Sequence, residues 1–213
     1  VCSKPGDPQT GGWFAMPASS AHHRCGPANN NYFNCSAFAV PVGGELKARK
    51  EHFHSYRVVL LDDLGSKVPL EMLGDLKLSW LLETSPGNFQ GGIILKEPLT
   101  DADAAEELLK AIIDAGLCDP GASGPTARWA RLPIGVNGKL KYRADGKPFE
   151  CRLIEWRPEA RYTPEQIRDL LKLQPKSAAA KVMHAQSSQT RATKAPKNPA
   201  YTPAAEENPV VAA

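Results

Sequence analysis

Short strand-like runs outnumber helix-like segments between residues 31 and 174, and this ratio constrains the fold more than any other feature. Only two segments have a helical pattern: one begins at a capping Thr100 and ends before Gly116, and the other is capped by Thr163 and runs through Leu173. The runs typical of strands are residues 32–40, 56–61, 79–83, 91–95, 127–132 and 149–156. Hairpins mixed with crossovers predict an α+β fold with a mainly antiparallel sheet and packed helices.

The two ends of the chain differ in composition from this central part. Residues 1–30 are rich in Gly, Pro, Ser, Ala and Asn without a hydrophobic period, which predicts an irregular N-terminal segment. Residues 175–213 contain few large apolar side chains, too few to offset the entropy of ordering, so we expect a disordered linker or tail. The predicted globular domain is therefore residues 31–174.

Composition and charge exclude several classes of protein. No apolar run approaches the roughly 18 residues of a membrane span, so we expect no membrane association. The chain starts at Val1 without a signal-peptide pattern, and its five cysteines form no C-x-x-C pair; we expect a cytoplasmic fragment of a longer protein with reduced thiols. The net charge of +3 lies in residues 175–213, because residues 1–174 carry 21 basic and 21 acidic side chains. Net charge alone therefore does not indicate nucleic-acid binding.

The pair Asp62-Asp63 follows an apolar strand-like run and precedes Gly65. Two carboxylates at the end of a strand concentrate negative charge at a sheet edge, where the oxygen-binding cations Mg²⁺ or Mn²⁺ could neutralise it. Because side chains alternate along a strand, both reach one site only if the backbone turns there, which Gly65 would help. The alternative is an ordinary solvated turn after a strand.

Two further segments carry polar groups suited to phosphates. Residues 83–92 form a turn with hydroxyl, amide and glycine groups that either cradles phosphate oxygens or is a plain hairpin loop. Residues 128–147 contain six basic side chains and one acid, with Trp129 and Tyr142 available for stacking. This basic run indicates either a phosphate-binding surface or a solvated face.

Taken in order, the segments LLDDLG, TSPGNFQ, and Asp119-Pro120 followed by RLPIGVNGK resemble the RepB-type branch of the archaeo-eukaryotic primase superfamily. The resemblance covers residues 31–174. It implies an RRM-like catalytic module that makes a primer on single-stranded DNA from nucleoside triphosphates, with Mg²⁺ or Mn²⁺, in the cytoplasm of a bacterial host cell. It also implies a helicase domain or partner, as in phage and plasmid replication proteins.

The resemblance also assigns residues. Asp62, Asp63 and Asp119 match the metal-binding and catalytic acids, and Glu155 competes with Asp119 for the third position. Nucleotide binding is assigned to two motifs, the turn and the basic segment: Ser85, Asn88, Gln90, Arg131, Asn137 and Lys139. Many superfamily members have His where Gln90 stands, and Gln can donate a hydrogen bond but carries no charge.

Other functions remain as alternatives. A non-catalytic RRM-like module could bind single strands or dock a helicase, although the acids at 62 and 63 would repel a nucleic-acid backbone. His52 and His54 fit the two-His pattern of rolling-circle nicking enzymes, with Tyr56 or Tyr142 as the nucleophile. A zinc site would need four residues whose spacing matches no known finger: His22, His23, Cys25 and Cys35.

Overall fold

The structure, a computed structural model, describes residues 1–40, 43–44, 49–119, 124–125 and 128–174. Within these ranges the helices are α1 (Ala21–Arg24), α2 (Ala102–Asp114) and α3 (Pro164–Leu170). The strands are β1 (Cys2–Lys4), β2 (Asn30–Asn34), β3 (Ser36–Phe38), β4 (Phe53–Leu64), β5 (Trp80–Ser85), β6 (Asn88–Leu99), β7 (Trp129–Arg131), β8 (Val136–Asn137), β9 (Phe149–Glu150), β10 (Arg152–Trp156) and β11 (Arg161–Tyr162).

The main sheet has six strands in the order β10-β5-β6-β4-β3, with β11 added beside β6. All its pairings are antiparallel except that of β11 with β6. A second sheet has the order β1-β2-β7, and β8 pairs with β9 in a third. This arrangement confirms the predicted α+β class with a mainly antiparallel sheet.

The main sheet has a core face and a second face that carries the cavities described below. Residues an even number apart on a strand share a face. Val59 and Ile93, which pair across β4 and β6, are fully buried and pack in one cluster with Leu108 and Ile112 of α2. Each such buried side chain stabilises the fold by about 1.5–3 kcal/mol. The residues next to Val59 and Ile93 on these strands have even numbers, and their side chains lie on the second face of the sheet.

The predicted strand at residues 32–40 is wrong as one element, because β2 and β3 belong to different sheets and separate at Cys35. The backbone N–H of Cys35 donates to the carbonyl of Arg128, while its carbonyl accepts from the N–H groups of Arg57 and Val58. One residue thus bonds to two different parts of the fold. The predicted strand at residues 149–156 divides in the same way, at Cys151, whose N–H donates to the carbonyl of Gly135.

The helix ends follow their capping residues. α2 is capped by Asp101 and not by the predicted Thr100, because the Asp101 carboxylate accepts from the N–H groups of residues 103 and 104 at 2.9 and 3.2 Å. Gly116 follows its end with a φ of +73°. α3 has the predicted Thr163 cap, completed by Gln166 in a capping box, and it ends at Leu170 rather than residue 173.

The flanking segments differ in what the structure describes. Residues 1–30, expected to be irregular, are mostly turns and coil but include β1, which pairs with β2. The side chains of Cys2 and Lys4 are buried. The expected tail at residues 175–213 lies outside the described residues. No helix in the described ranges is long and apolar enough to cross a membrane.

Candidate active site

A polar cavity of about 480 Å³ lies at one end of β4, β5 and β6, on the face of the main sheet opposite the core. All nine residues that the sequence singles out line it together: Asp62, Asp63, Ser85, Asn88, Gln90, Asp119, Arg131, Asn137 and Lys139. They come from five separate segments of the chain, so the fold and not sequence proximity brings them together.

A backbone turn directs both Asp62 and Asp63 into the cavity. The pairing of β4 with β6 has a bulge between Leu61 and Leu64, and Asp63 has a φ of +60°. Strict strand alternation would have put the two carboxylates on opposite faces. The carbonyl of Asp63 then accepts the N–H groups of the next turn, residues 66–68, at 3.0–3.3 Å. The predicted turn therefore centres on Asp63 itself, and a left-handed conformation is unusual for a residue other than glycine.

Gly65 is required by the same turn. Its φ is +78°, and a Cβ at this position would lie 2.8 Å from the carbonyl oxygen of Gly87. The turn after β4 therefore packs closely on the hairpin turn between β5 and β6. The two turns are also joined by side chains, since Ser66 Oγ and Asn88 Oδ1 are 2.6 Å apart and Asn88 Nδ2 donates to Asp63 Oδ1 at 3.4 Å.

The carboxylate of Asp62 is held in an unfavourable electrostatic environment. Burial raises its pKa, and the neighbouring charge of Asp63 raises it further. The N–H of Asp63, which donates to Asp62 Oδ1 at 2.9 Å, acts in the opposite direction, as do the side chain of Gln90 and the positive charge of Arg128. The net effect is a carboxylate whose ionised form would be stabilised by an added cation.

Asp119 lines the same cavity as the acidic pair, at the end of a described segment. Its backbone carbonyl accepts a hydrogen bond from Arg128 Nη2 at 3.4 Å. The other candidate for the third acid, Glu155, is on β10, where it pairs with Arg157, and it does not line the cavity. Pro120 of the predicted motif lies outside the described residues.

Arg131 and Asn137 are buried and bonded within the protein. The guanidinium of Arg131 donates to Val136 O and Asn137 Oδ1, both at 2.9 Å, and to Asn30 Oδ1 at 3.3 Å. Asn137 Nδ2 donates to the carbonyl of Thr84 at 2.7 Å. These two residues therefore brace the wall between β5 and β8.

Gln90 connects the two walls of the cavity. Its Oε1 accepts the backbone N–H of Arg131 at 2.9 Å, and its side chain also bonds to the carboxylate of Asp62. A side-chain amide can do this because it has both a donor and an acceptor. Gln90 thus orients Asp62 relative to the basic segment.

Three lysines put positive charge on the cavity. Lys67 Nζ is 2.7 Å from Asp63 Oδ2, with 68% of the Lys67 side chain exposed. Lys139 and Lys141 line the cavity from the loop after β8, and the ammonium of Lys141 lies 4.7 Å from the centroid of the Tyr142 ring. A hydrogen bond with Lys141 lowers the pKa of Tyr142, and a hydrogen bond with Ser85 has a smaller effect in the same direction.

No protein-family model and no curated protein matches the chain. Its fold is similar to that of three solved structures. The archaeo-eukaryotic primase (AEP) domain of the primase-polymerase from cyanophage S-2L aligns with a TM-score of 0.56 at 16% identity, over 80% of this chain and 88% of that one. Primase RepB′ gives 0.54 at 16% identity, over 90% and 60%. The catalytic domain of RepB′ in complex with initiator DNA gives 0.53 at 17% identity, over 88% and 89%.

The chain has the fold of an archaeo-eukaryotic primase catalytic domain. At these identities the likeness is one of fold, and the chemistry has to be argued from the cavity itself.

Within this primase fold, the cavity includes residues that the sequence motifs did not single out. Ser66, Lys67 and Thr84 line it, as do Lys141 and Tyr142 from the basic segment. Lys67 follows Asp63 by four residues in a turn that contains Gly65, a spacing that brings the two side chains together here. This spacing was the one signal that could have identified Lys67.

The histidine-based alternatives gain no support from the primase fold. His54 is exposed on β4, eight residues before Asp62, which is about 26 Å along a strand. Cys25 and Cys35 are buried. Across the described ranges, no group of three or more His, Cys, Asp or Glu side chains is placed to hold a metal ion as it stands.

Proposed function

We propose that the chain carries out template-directed nucleotidyl transfer, making a primer on single-stranded DNA from nucleoside triphosphates. The observation that carries the proposal is the composition of one cavity, which three aspartates and the lysines 67, 139 and 141 line together. Nucleotidyl transfer needs acidic side chains that bind metal cations and basic side chains that bind the triphosphate. Both sets must contact the same nucleotide. The primase-type fold supports the same reaction class.

The donor set fits Mg²⁺ or Mn²⁺, since carboxylate oxygens are the ligands that these hard cations prefer. Asp62, Asp63 and Asp119 would hold the metal, and an added cation would counteract the burial and the Asp63 charge that raise the pKa of Asp62. When bound, a divalent metal in such a site neutralises phosphate charge and activates the attacking hydroxyl. Asp119 has to move toward the other two acids for all three to share one ion.

The remaining residues bind and orient. Lys139 and Lys141 bind the triphosphate, and Ser85 and Asn88 donate or accept hydrogen bonds at the hairpin turn where the nucleotide lies. Gln90 holds Asp62 in place instead of contacting phosphate. Arg131 and Asn137, which the resemblance assigned to nucleotide binding, support the wall from which Lys139 projects.

The test is primer synthesis by the purified chain with a single-stranded DNA template, Mg²⁺ or Mn²⁺, and NTPs or dNTPs. Loss of metal ligands removes several kcal/mol of transition-state stabilisation, so the double variant Asp62→Asn with Asp63→Asn should lose activity by roughly a thousandfold. Asp119→Asn should lose activity as well, whereas the matched charge change Glu155→Gln on β10 should not.

Absence of primer synthesis together with DNA binding that chelator and the double variant leave unchanged would establish the non-catalytic alternative, a single-strand-binding or helicase-docking module. The helicase partner and the cytoplasm of a bacterial host remain predictions from the resemblance. Capture of a replicative helicase by the immobilised chain in a pull-down would test the first of these.

A further inference from the structure

A second cavity, which we call the stacking groove, lies on the same face of the main sheet as the polar cavity. It has a volume of about 390 Å³ and its lining is almost wholly apolar, with Trp80, Leu82, Leu153 and Trp156 among its residues. Arg131 lines both cavities. The two spaces are therefore neighbours that share a wall.

Strand register shows that the groove and the polar cavity form one continuous track. Leu82 pairs with Gln90, and the next positions on the same face of β5 are Trp80 in one direction and Thr84 in the other. Thr84 and Gln90 line the polar cavity, whereas Leu82 and Trp80 line the groove. Two residues along a strand span about 6.6 Å, which is close to the reach of one nucleotide.

Flat side chains form the floor and the outer wall of the groove. The indole of Trp80 lies against Gly92, so closely that a Cβ at Gly92 would collide with it. Trp156 pairs with Trp80 from the edge strand β10, yet it is 60% exposed. A large aromatic ring left in solvent beside an apolar floor is a surface on which another flat ring can stack.

The chemistry of the groove favours bases over phosphates. Among its described lining residues only Arg131 is charged, and that guanidinium is occupied by Asn30, Val136 and Asn137. A ligand in the groove gains apolar contact and stacking, but few hydrogen bonds that could distinguish one base from another. The lysines of the adjoining cavity provide positive charge for a phosphate backbone alongside.

We propose that the stacking groove binds unpaired bases of the single-stranded DNA template next to the polar cavity, with Trp156 as the stacking platform. This inference rests on the proposed function, because the polar cavity is taken to hold the nucleotide that pairs with the template. The groove presents the template without sequence preference, since stacking on a ring is available to every base.

The test measures binding of a fluorescein-labelled oligothymidylate by fluorescence anisotropy, without metal or nucleotide. Because stacking of one base on an aromatic ring is a substantial share of single-strand affinity, Trp156→Ala should weaken binding by about fivefold to a hundredfold. Trp156→Phe should retain most of the affinity. The matched control is Trp13→Ala: Trp13 is also half-exposed, at 48%, but it packs on Tyr32 and Trp129 and lines neither cavity.

A second readout separates stacking from charge. Trp156→Ala should leave the slope of log affinity against log salt unchanged, because no phosphate contact is lost, while Lys139→Gln in the adjoining cavity should make the slope shallower. Unchanged DNA affinity in Trp156→Ala, or an equal loss in Trp13→Ala, overturns the inference. A loss confined to Trp156→Ala in a chain that makes no primer supports the groove and removes the enzymatic proposal instead.

Discussion

The two walls of the polar cavity compensate their charges in different ways. On the acidic wall, Asp62 and Asp63 are adjacent in a bulge, Asp63 has a left-handed backbone, and the pKa of Asp62 is raised. On the opposite wall, Arg131 is buried and makes three hydrogen bonds to protein acceptors. The acidic wall therefore has excess negative charge, whereas the positive charge of Arg131 on the other wall is already hydrogen-bonded to protein acceptors.

This difference indicates where a ligand changes the energy of the protein most. A cation at the acidic wall relieves repulsion that the fold itself does not remove, apart from the pairing of Lys67 with Asp63. An anion at the basic wall would have to take Arg131 away from its acceptors, so we expect it to bind instead to Lys139 and Lys141, which line the same cavity. Strain and uncompensated charge persist at functional sites because the surrounding structure imposes them.

The largest effect is expected for Arg131→Gln. Its guanidinium donates to Asn30, Val136 and Asn137, and the loss of these three buried, charge-assisted hydrogen bonds should lower the free energy of unfolding by about 3 kcal/mol. Urea denaturation measures this loss. Arg143→Gln, a matched change at an exposed position, should have little effect on stability. An Arg131→Gln protein with normal stability and weakened nucleotide binding would contradict the comparison.

The next effect is expected for the double variant Lys139→Gln with Lys141→Gln. These side chains line the cavity, and we expect triphosphate affinity to fall by about tenfold, since two charge-assisted contacts are removed. Calorimetric titration with a nucleoside triphosphate measures the change, and stability should remain normal. The control pair is Lys96→Gln with Lys110→Gln, on exposed parts of β6 and α2. Equal losses in both pairs would show a non-specific effect of net charge.

The sequence predicts those parts of the fold and of the cavity whose structure is determined by one short segment. The β5–β6 hairpin follows from the Pro86-Gly87 turn between two apolar runs, and α3 follows from Thr163 and Pro164. The excess of strand-like runs over helices, with hairpins mixed with crossovers, is enough to predict the fold class. The nine residues of the cavity were identified by the order of three motifs, not by any one of them.

The rest depends on contacts between distant segments. A count of basic residues at 128–147 does not distinguish solvent-exposed side chains from a buried one that is hydrogen-bonded within the protein. Arg131 is buried because Asn30, some hundred residues earlier, accepts its hydrogen bond. Asn30 belongs to a region whose composition indicated only irregular structure. Similarly, the break at Cys35 is set by Arg128, which accepts from its backbone N–H, and by Arg57 and Val58, which donate to its carbonyl.

A smaller effect is expected for Lys67→Gln, which tests whether Lys67 partly compensates the acidic wall. Its ammonium is 2.7 Å from Asp63 and is also attracted by Asp119 and Asp62, so it competes with a divalent cation. Removing the competitor should increase Mn²⁺ affinity about threefold to fivefold, as for a largely exposed ion pair. Electron paramagnetic resonance of free Mn²⁺ measures this change.

Lys110→Gln is the control for Lys67→Gln, because Lys110 also pairs with an aspartate four residues away, Asp114, at a site remote from the cavity. Its Mn²⁺ affinity should equal that of the unaltered chain. Lys67→Arg keeps the charge and should not bind Mn²⁺ more tightly. A gain in Lys67→Arg as large as that in Lys67→Gln would rule out competition by the positive charge.

The smallest effect is expected in the pH dependence of stability. Because the pKa of Asp62 is raised by burial and by Asp63, the folded protein holds a proton that the unfolded chain releases, so this residue lowers stability as pH rises from the ordinary Asp pKa of about 3.9 through the raised value. Asp62→Asn removes the charge, and its melting temperature at pH 7 should exceed that of the unaltered chain. The gain should vanish below pH 3.9, where Asp62 is protonated in both states. Asp75→Asn, at an exposed position, should show no such crossover. A stabilisation by Asp62→Asn that persists unchanged at low pH would mean that the packing of the Asp62 side chain, and not its charge, is unfavourable. The difference between the acidic and basic walls would then not be electrostatic.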